Sequence, residues 1–367
     1  MKKAIVFSLL LFVRVVAPVF SQELSEKHEI AIFKLGYYGW QVPPEAMGSV
    51  DQQILNVFIN LGRFDVVGMT YRMEQGDIDT FISKIQEYKA ANAVVSEEVM
   101  LGHQAFTEAD FNRLSSSFIL VIPVLTFYEM KYSDESKTFS SSLSTSFTLV
   151  NVEEGKSFAH FTVETIGSGV TPLESVRGAV DAIPTQLSYE IRKIEMFQIK
   201  TGIIEIQNNT AVIQFGTDRG VTVGDEFAIM DMVVLSSGIE LKKEVGLLIV
   251  KEVLDEYSFA YVLFADRGPY VGDQLYEVPR MGFETAIFAH GLIAGDDSAF
   301  MIGLREVMTR GFYKIRPFLG LELPFTSNGL NDVAGLVGTA YLGAELSWYL
   351  RRIQVLPGAA IGAVLDI

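Results

Sequence analysis

Asp218-Arg219-Gly220-Val221-Thr222-Val223-Gly224-Asp225 is matched 48 residues downstream by Asp266-Arg267-Gly268-Pro269-Tyr270-Val271-Gly272-Asp273, so the chain carries D-R-G-x-x-V-G-D twice. Glycine accepts positive φ without a Cβ clash, and an Asp before it can close an Asx turn, so each copy reads as a tight turn feeding a strand. The residues that follow agree, since 226–230 and 274–278 are short strand-like runs. Two equal turns punctuating one small β unit account for the Asp, Arg and Gly cluster by geometry, without a catalytic or calcium-binding role. On this reading valine at Gly224 or Gly272 forces backbone strain, whereas asparagine at Asp225 or Asp273 costs little.

Working outward, Met1-Lys2-Lys3 precedes an apolar run over 4–20, broken by Ser8, Arg14 and Pro18, and Val19-Phe20-Ser21 supplies a signal-peptidase site. Residues 1–21 read as a secretory signal, too short and interrupted for a comfortable transmembrane helix of roughly 20 apolar residues. N-terminal sequencing of the exported protein is expected to start at Gln22; a chain still beginning at Met1 would make the segment an anchor instead. The sequence holds no cysteine. An exported chain without a thiol has neither a disulfide framework nor a lipid-modified N-terminal cysteine.

Removal of Lys2, Lys3 and Arg14 takes three positive charges from a net −16 and leaves −19. Nucleic acid is bound through clustered Lys and Arg that release counterions, so such an acidic chain is not expected to bind it. Hydrophobic content of 49% and a mean hydropathy of +0.29 are high for a chain with no long apolar helix after the signal. β-strands with one face toward lipid would produce that balance.

Residues 29–196 alternate strand and helix signals. An apolar strand over 29–35 is followed by a helix opened by Pro44 and stopped by Gly62, then by a second strand over 64–69. Asp77 is placed to cap a helix whose Ile78, Phe81, Ile82, Ile85 and Tyr88 share one face. Strands are predicted over 92–101 and 118–132, with a short helix from Thr107 between them on a Thr107/Asp110 capping pattern. The serine-rich 133–146 reads as a flexible connection into a hairpin of 147–152 and 158–166, turned at Glu153-Glu154-Gly155-Lys156. A helix over 172–194, with Pro184 a kink or break, closes the unit.

Several of these stretches resemble known proteins. Gly62-Arg63-Phe64-Asp65-Val66-Val67, the run 149–155, Gly167-Ser168-Gly169 and a helix bearing Glu174, Ala179 and Ile183 resemble the periplasmic domain shared by CsgG-type curli secretion proteins and TolB-like domains. The unit 202–278, with Gly216, Gly220, Val223-Gly224-Asp225, Val245-Gly246 and Val271-Gly272-Asp273, resembles the C-terminal domain of flagellar assembly protein T. The resemblance implies a mixed sheet with flanking helices, then a small SH3-like β barrel. It implies no catalytic residues, because these families are envelope assembly or secretion parts. The chain departs from the CsgG pattern in having no lipid-modified cysteine and in carrying its membrane-type strands at the C-terminus.

From 281 to 367 the pattern changes to strands only. Tyr313, Ile315, Pro317, Leu319, Leu321, Leu323 and Phe325 alternate with Lys314, Arg316, Phe318, Gly320, Glu322 and Pro324, a period of two with the charges on one face. Residues 342–350 repeat the scheme, with Leu342, Leu346 and Leu350 opposite Glu345, and 353–367 does so again. About five strands of ten or more residues suit a membrane barrel; a periplasmic sandwich would alternate equally well with shorter strands. Five strands are too few to close a single-chain barrel, so membrane insertion implies a ring of subunits.

Residues that carry chemistry elsewhere are scattered here. His28, His103, His160 and His290 have no second ligand at metal spacing, and the paired acids Glu97-Glu98, Glu153-Glu154 and Asp296-Asp297 suit solvated loops. Neither a phosphate-binding G-x-x-x-x-G-K-[ST] nor a G-x-S-x-G nucleophile turn occurs. No catalytic, cofactor-binding or metal residue is assigned, and no cofactor. Tyr37, Tyr38 and Trp40 either anchor a partner or pack against the first helix, and Trp348 and Tyr349 either mark a membrane interface or fill a sheet face.

The expected architecture is α+β multidomain: signal peptide 1–21, mixed α/β periplasmic domain 22–198, SH3-like small β barrel 199–280, and C-terminal antiparallel membrane-type β-strands 281–367. The expected role is a non-enzymatic, exported bacterial envelope protein, an assembly or secretion component of the outer membrane, with membrane lipid and further copies of itself as partners. A soluble periplasmic scaffold for a flagellar or cell-wall complex is the alternative.

Overall fold

The computed structural model describes residues 23–366 apart from 38, 41, 92–98, 102–103, 107–118, 295–296, 310–314 and 326–336. The predicted signal segment and the helix expected from Thr107 lie outside the described residues. Three larger bodies of β-structure follow one another along the chain, and β3 (Val99–Leu101) and β4 (Gln104–Phe106) form a separate antiparallel pair.

The first is a five-stranded mixed sheet ordered β2-β1-β5-β6-β7. Strand β1 (His28–Lys34) runs parallel to β2 (Phe64–Arg72) and to β5 (Ile119–Ser133). Strands β6 (Thr138–Asn151) and β7 (Lys156–Gly169) add antiparallel. Ile30, Ala31, Ile32 and Phe33 are all buried, the continuous apolar run of a strand covered on both faces. Helix α1 (Pro44–Asn60) starts on a proline that needs no N–H at that position and ends at Gly62 with φ 66°. It packs on one face beside α3 (Pro172–Asp181) and α4 (Ile183–Lys193), burying Ile54, Phe58, Val176, Leu187 and Ile191 against Ile32, Val121 and Phe147. Helix α2 (Ile78–Ala91) covers the other face through Ile78 and Phe81.

Several expectations are corrected here. The serine-rich stretch is not a flexible connection: apart from the turn joining β5 to β6, it is β6 itself, paired on both sides. Ser141 is buried, its hydroxyl 2.7 Å from that of Ser175 on α3, so small side chains here admit a helix. Gly167 on β7 serves the same approach, since a Cβ would overlap α3 backbone. Asp77 is the last residue of a 3-10 turn (Gln75–Asp77) that runs directly into α2. The helix expected over 172–194 with a kink or break at Pro184 is indeed broken there, into α3 and α4, which meet at Ala182 with Pro184 in the first turn of α4. Thr171 and Glu174 form a reciprocal capping box that fixes the start of α3.

The second body is a closed six-stranded barrel, ordered β10-β11-β12-β9-β8-β13. Its strands are β8 (Lys200–Gln207), β9 (Thr210–Gln214), β10 (Glu226–Val234), β11 (Glu240–Val253), β12 (Tyr257–Ala265) and β13 (Gln274–Val278). The repeated motif forms two equivalent turns. Asp225 N–H donates to Thr222 O and Asp273 N–H to Tyr270 O, both at 3.1 Å, with Gly224 (φ 89°) and Gly272 (φ 100°) in the third position of each turn. Each turn clips a barrel strand through a pair of backbone bonds, to Val250 in one copy and to Ile203 in the other. Because positive φ at that position excludes a β-branched residue, Gly224→Val is expected to lower stability by about 1–3 kcal/mol, read as a fall in melting temperature.

The third body is an antiparallel sheet ordered β14-β15-β16-β17-β20, with β14 (Phe283–Ala294), β15 (Asp297–Met308), β16 (Ile315–Phe325), β17 (Val337–Leu346) and β20 (Gly358–Asp366). The strand expected over 342–350 is interrupted at Ser347. Beyond it, β18 (Trp348–Leu350) and β19 (Ile353–Val355) form a separate hairpin turned at Arg351, which has φ 56°.

Candidate functional site

Period two and register together divide the C-terminal sheet into two unlike faces. Directly opposed residues share a face, so the pairings carry Ile287 to Leu304, Leu321 and Ala340 in one row and Leu319 to Leu342 and Ile361 in the next. This face is exposed: Ile287 retains 81% and Ile361 87% of its accessible surface. Among the described residues its one charged side chain is Glu306, which accepts a hydrogen bond from Thr285 Oγ1 at 2.6 Å near the end adjoining the barrel.

The other face gathers the charges and the bulky rings. Arg305 Nη1 donates to Glu345 Oε2 at 2.9 Å, and Arg316 Nε lies 3.3 Å from Glu345 Oε1 while its Nη2 donates to Glu284. His290 Nε2 is 3.2 Å from Glu322 Oε2. Phe288, Tyr341 and Phe318 stand directly across from Gly303, Gly320 and Gly343 in the register, and each ring occupies the space a Cβ would need. Glycine faced by an aromatic ring is a device that lets a sheet curl tightly while keeping its register. Met301, Val307, Phe318 and Glu345 on the ring-lined face are buried while the aliphatic face stands open, the inequality of a sheet curled toward its rings, so the ring-lined face is taken as the concave one and the aliphatic face as the convex one.

Five of the seven residues assigned to these faces from sequence lie on the face expected for them. Arg316, Glu322 and Glu345 lie on the concave face, Leu342 and Leu346 on the convex face; Lys314 lies outside the described residues, and Leu350 belongs to the separate hairpin. Arg305 and His290 were missed, although the alternation of 287–290 against 301–305 carries the same signal. Trp348 is exposed at the barrel-proximal end of the sheet. Tyr349 packs on Phe264 of the barrel, ring centres 5.7 Å apart. Beside it, a cleft of about 350 Å³ between barrel and sheet is lined by Glu226, Arg280, Arg316 and Tyr349.

A second charged cluster joins the α/β unit to the barrel. Arg192 on α4 donates to Glu277 Oε1 at 2.5 Å and to Asp225 Oδ1 at 3.0 Å, while Arg63 donates to Glu277 Oε2 at 2.7 Å. All four are buried. Burial disfavours the Glu277 carboxylate, but the charges of Arg63 and Arg192 outweigh it and hold the carboxyl down at about 2. At the same joint Gly62 and Gly220, both at positive φ, approach so closely that a Cβ on either would overlap the other strand of backbone. The expectation that Asp225 and Asp273 tolerate asparagine is thereby corrected: Asp225 pairs with Arg192, and Asp273 accepts from Arg267 Nη2 at 2.7 Å. The two copies share a turn but use their acids differently.

The remaining sequence candidates are apart from one another. His28 Nε2 lies 3.1 Å from Met196 O, and His160 sits between the hydroxyls of Ser146 and Thr148. His103, Glu97-Glu98 and Asp296 lie outside the described residues. Glu153 and Glu154 occupy a turn, both N–H groups donating to Asn151 Oδ1. Among the described residues no group of three His, Cys, Asp or Glu is arranged to hold a metal. Trp40 donates to Leu125 O at 3.1 Å and packs with Tyr37 on the core, so these two rings are packing groups; Tyr38 lies outside the described residues.

No protein-family profile matches the chain, nor does any curated protein. Among solved structures, the PelC dodecamer from Paraburkholderia phytofirmans is 15% identical over 46% of this chain and 91% of its own, with a TM-score of 0.27. Hypothetical protein CT253 from Chlamydia trachomatis is 8% identical over 45% and 97%, TM-score 0.28. Lipoprotein GNA1162 from Neisseria meningitidis is 10% identical over 44% and 98%, TM-score 0.25. Likenesses this remote define neither partner nor activity for this chain.

Proposed function

We propose that this chain is a non-enzymatic bacterial envelope protein whose C-terminal sheet is one wall segment of an oligomeric outer-membrane β-barrel, serving as an assembly or secretion component. The observation that carries the reading is the division of that sheet, with aliphatic side chains standing outward on the convex face and paired charges on the concave one. A barrel wall needs that division, because lipid accepts the first and a water-filled lumen the second. The dimensions agree. The 11 residues of β16 extend about 36 Å, and a tilt of about 40° brings that to roughly 28 Å, near the ~25 Å apolar band of such barrels.

Five strands fall short of the roughly eight that the smallest single-chain barrels use, so closure needs several copies. The α/β unit and the barrel, as an SH3-like module, then stand in the periplasm at one end of the wall, in keeping with the resemblance to CsgG-type proteins. Buried ionisable groups of the α/β–barrel joint are engaged in ion pairs linking structural units, which favours a mechanical role over a catalytic one. Extraction tests the reading: the protein should resist salt and carbonate washes of envelope membranes and leave them only in detergent, as a particle several times the chain's mass. A monomer released by salt alone would overturn it and leave a soluble periplasmic scaffold for a flagellar or cell-wall complex.

A further inference from the structure

The free edges of the C-terminal sheet fix how such a ring can close. Among the described residues, β14 and β20 each pair on one side only, which leaves a row of N–H and C=O groups unpaired along both outer edges. Proteins that keep a strand edge solvent-exposed usually blunt it with Lys, Pro or a bulge. Neither β14 (Phe-Glu-Thr-Ala-Ile-Phe-Ala-His-Gly-Leu-Ile-Ala) nor β20 (Gly-Ala-Ala-Ile-Gly-Ala-Val-Leu-Asp) contains Lys, Arg or Pro, and each pairs with its one neighbour without a bulge. In hydrocarbon an unpaired backbone edge is not tolerated, so each edge requires a strand.

Resting on the barrel-wall reading above, we propose that the occupant of each edge is a second copy of this chain, and that the seam is a parallel pair of β20 against β14 of the next subunit. The direction follows from counting. Each of the four steps from β14 through β15, β16 and β17 to β20 is antiparallel, so β14 and β20 point the same way. The water-soluble units attach at one end of the sheet: Arg280 donates to Glu226 on β10, and Arg352 of the β18–β19 hairpin donates to Asp266 and to Glu244 O of the barrel. Every copy therefore enters the membrane with the same polarity, and rotational symmetry carries β14 onto β14. A ring built from odd-numbered antiparallel units must have parallel seams. The small residues of β20, Ala359, Ala360, Gly362 and Ala363, leave room for the neighbouring strand.

The chain has no cysteine, so introduced pairs report the seam alone. Within one subunit β14 and β20 are four strand spacings apart, about 19 Å, far beyond the roughly 7 Å limit between Cα atoms for a disulfide. Cysteines at Ala359, Ile361 or Ala363 would be combined with cysteines at Phe283, Thr285, Ile287, Ala289 or Gly291, all on the convex face, and oxidised in intact membranes. Only variants recovered in the detergent fraction at the level of the unsubstituted chain would be scored. The expected result is intersubunit disulfides whose β14 partner moves up by two positions for each two-residue step up β20. A partner that moves down instead overturns the parallel seam, because it sets neighbouring copies in opposite polarity, although strands of separate copies still pair. Detergent-extractable protein with no crosslink at any pair also overturns it, by showing that another segment fills the edge. Protein found only in the salt-soluble fraction would instead sink the barrel-wall reading itself.

Discussion

Replacing Arg192 by methionine is expected to destabilise the joint between the α/β unit and the barrel by about 3–5 kcal/mol, one of the largest effects of any single substitution in this chain. The cause is what it leaves behind. Arg192 is fully buried between two carboxylates, Glu277 at 2.5 Å and Asp225 at 3.0 Å, and methionine would fill much of its volume without supplying a charge. Glu277 keeps Arg63 and the Ile199 N–H, whereas Asp225, held in its own turn by the Thr222 N–H and hydroxyl, loses the guanidinium that faces it in the buried joint. A melting curve gives the loss directly. Asp225→Asn on the Arg192→Met background should then cost less than it does alone, with a coupling on the order of 1–3 kcal/mol; strict additivity would show that the two groups are not a unit.

The same cluster predicts an acid transition. Glu277 has its carboxyl depressed from 4.5 to about 2 by the two guanidinium groups, so the folded state holds its charge more tightly than the unfolded chain does. Its contribution, on the order of 3 kcal/mol, is complete above about pH 4.5 and drains away as pH falls toward 2. Glu277→Gln should flatten that part of the stability profile while lowering the plateau above it. An unchanged acid limb in the variant would assign the transition to other carboxylates.

What was legible in the sequence was local. Gly224 and Gly272 announce their turns because positive φ is a property of one residue, and the alternation over 313–325 places Arg316 and Glu322 on one face because side chains in a strand alternate whatever they pack against. What was not legible depended on partners distant in sequence. Asp225 looked like turn punctuation, and is, but its burial is decided by Arg192, 33 residues upstream. The serines of β6 read as a connection because composition favours loops for them, yet strands on either side and a closely packed helix hold them extended. The interruption at Ser347 had no signal in the alternation, which continues unbroken through Leu350. It arises where Leu346 N–H turns to Pro357 O and the hairpin beyond reaches back to the barrel.

Leu321→Arg is the substitution on which the membrane reading is most exposed. Leu321 lies mid-strand on the convex face, in the row with Ile287, Leu304 and Ala340, and is 53% exposed in the isolated chain. If that face met water, a surface leucine replaced by arginine would change stability by no more than about 0.5 kcal/mol. If it meets lipid near the bilayer middle, the arginine costs roughly 2–4 kcal/mol, and a ring repeats that cost in every subunit. Thr339→Arg supplies the control, since Thr339 is paired opposite Glu322 on the concave face and an arginine there faces a carboxylate across the register. The expected outcome is that Leu321→Arg leaves the melting of the α/β unit and the barrel unchanged but empties the detergent-extracted oligomer, while Thr339→Arg assembles as the unsubstituted chain does. Equal recovery of both variants in the membrane oligomer would mean that the convex face does not contact lipid, and the five strands would then have to be read as a sheet that stays out of the bilayer.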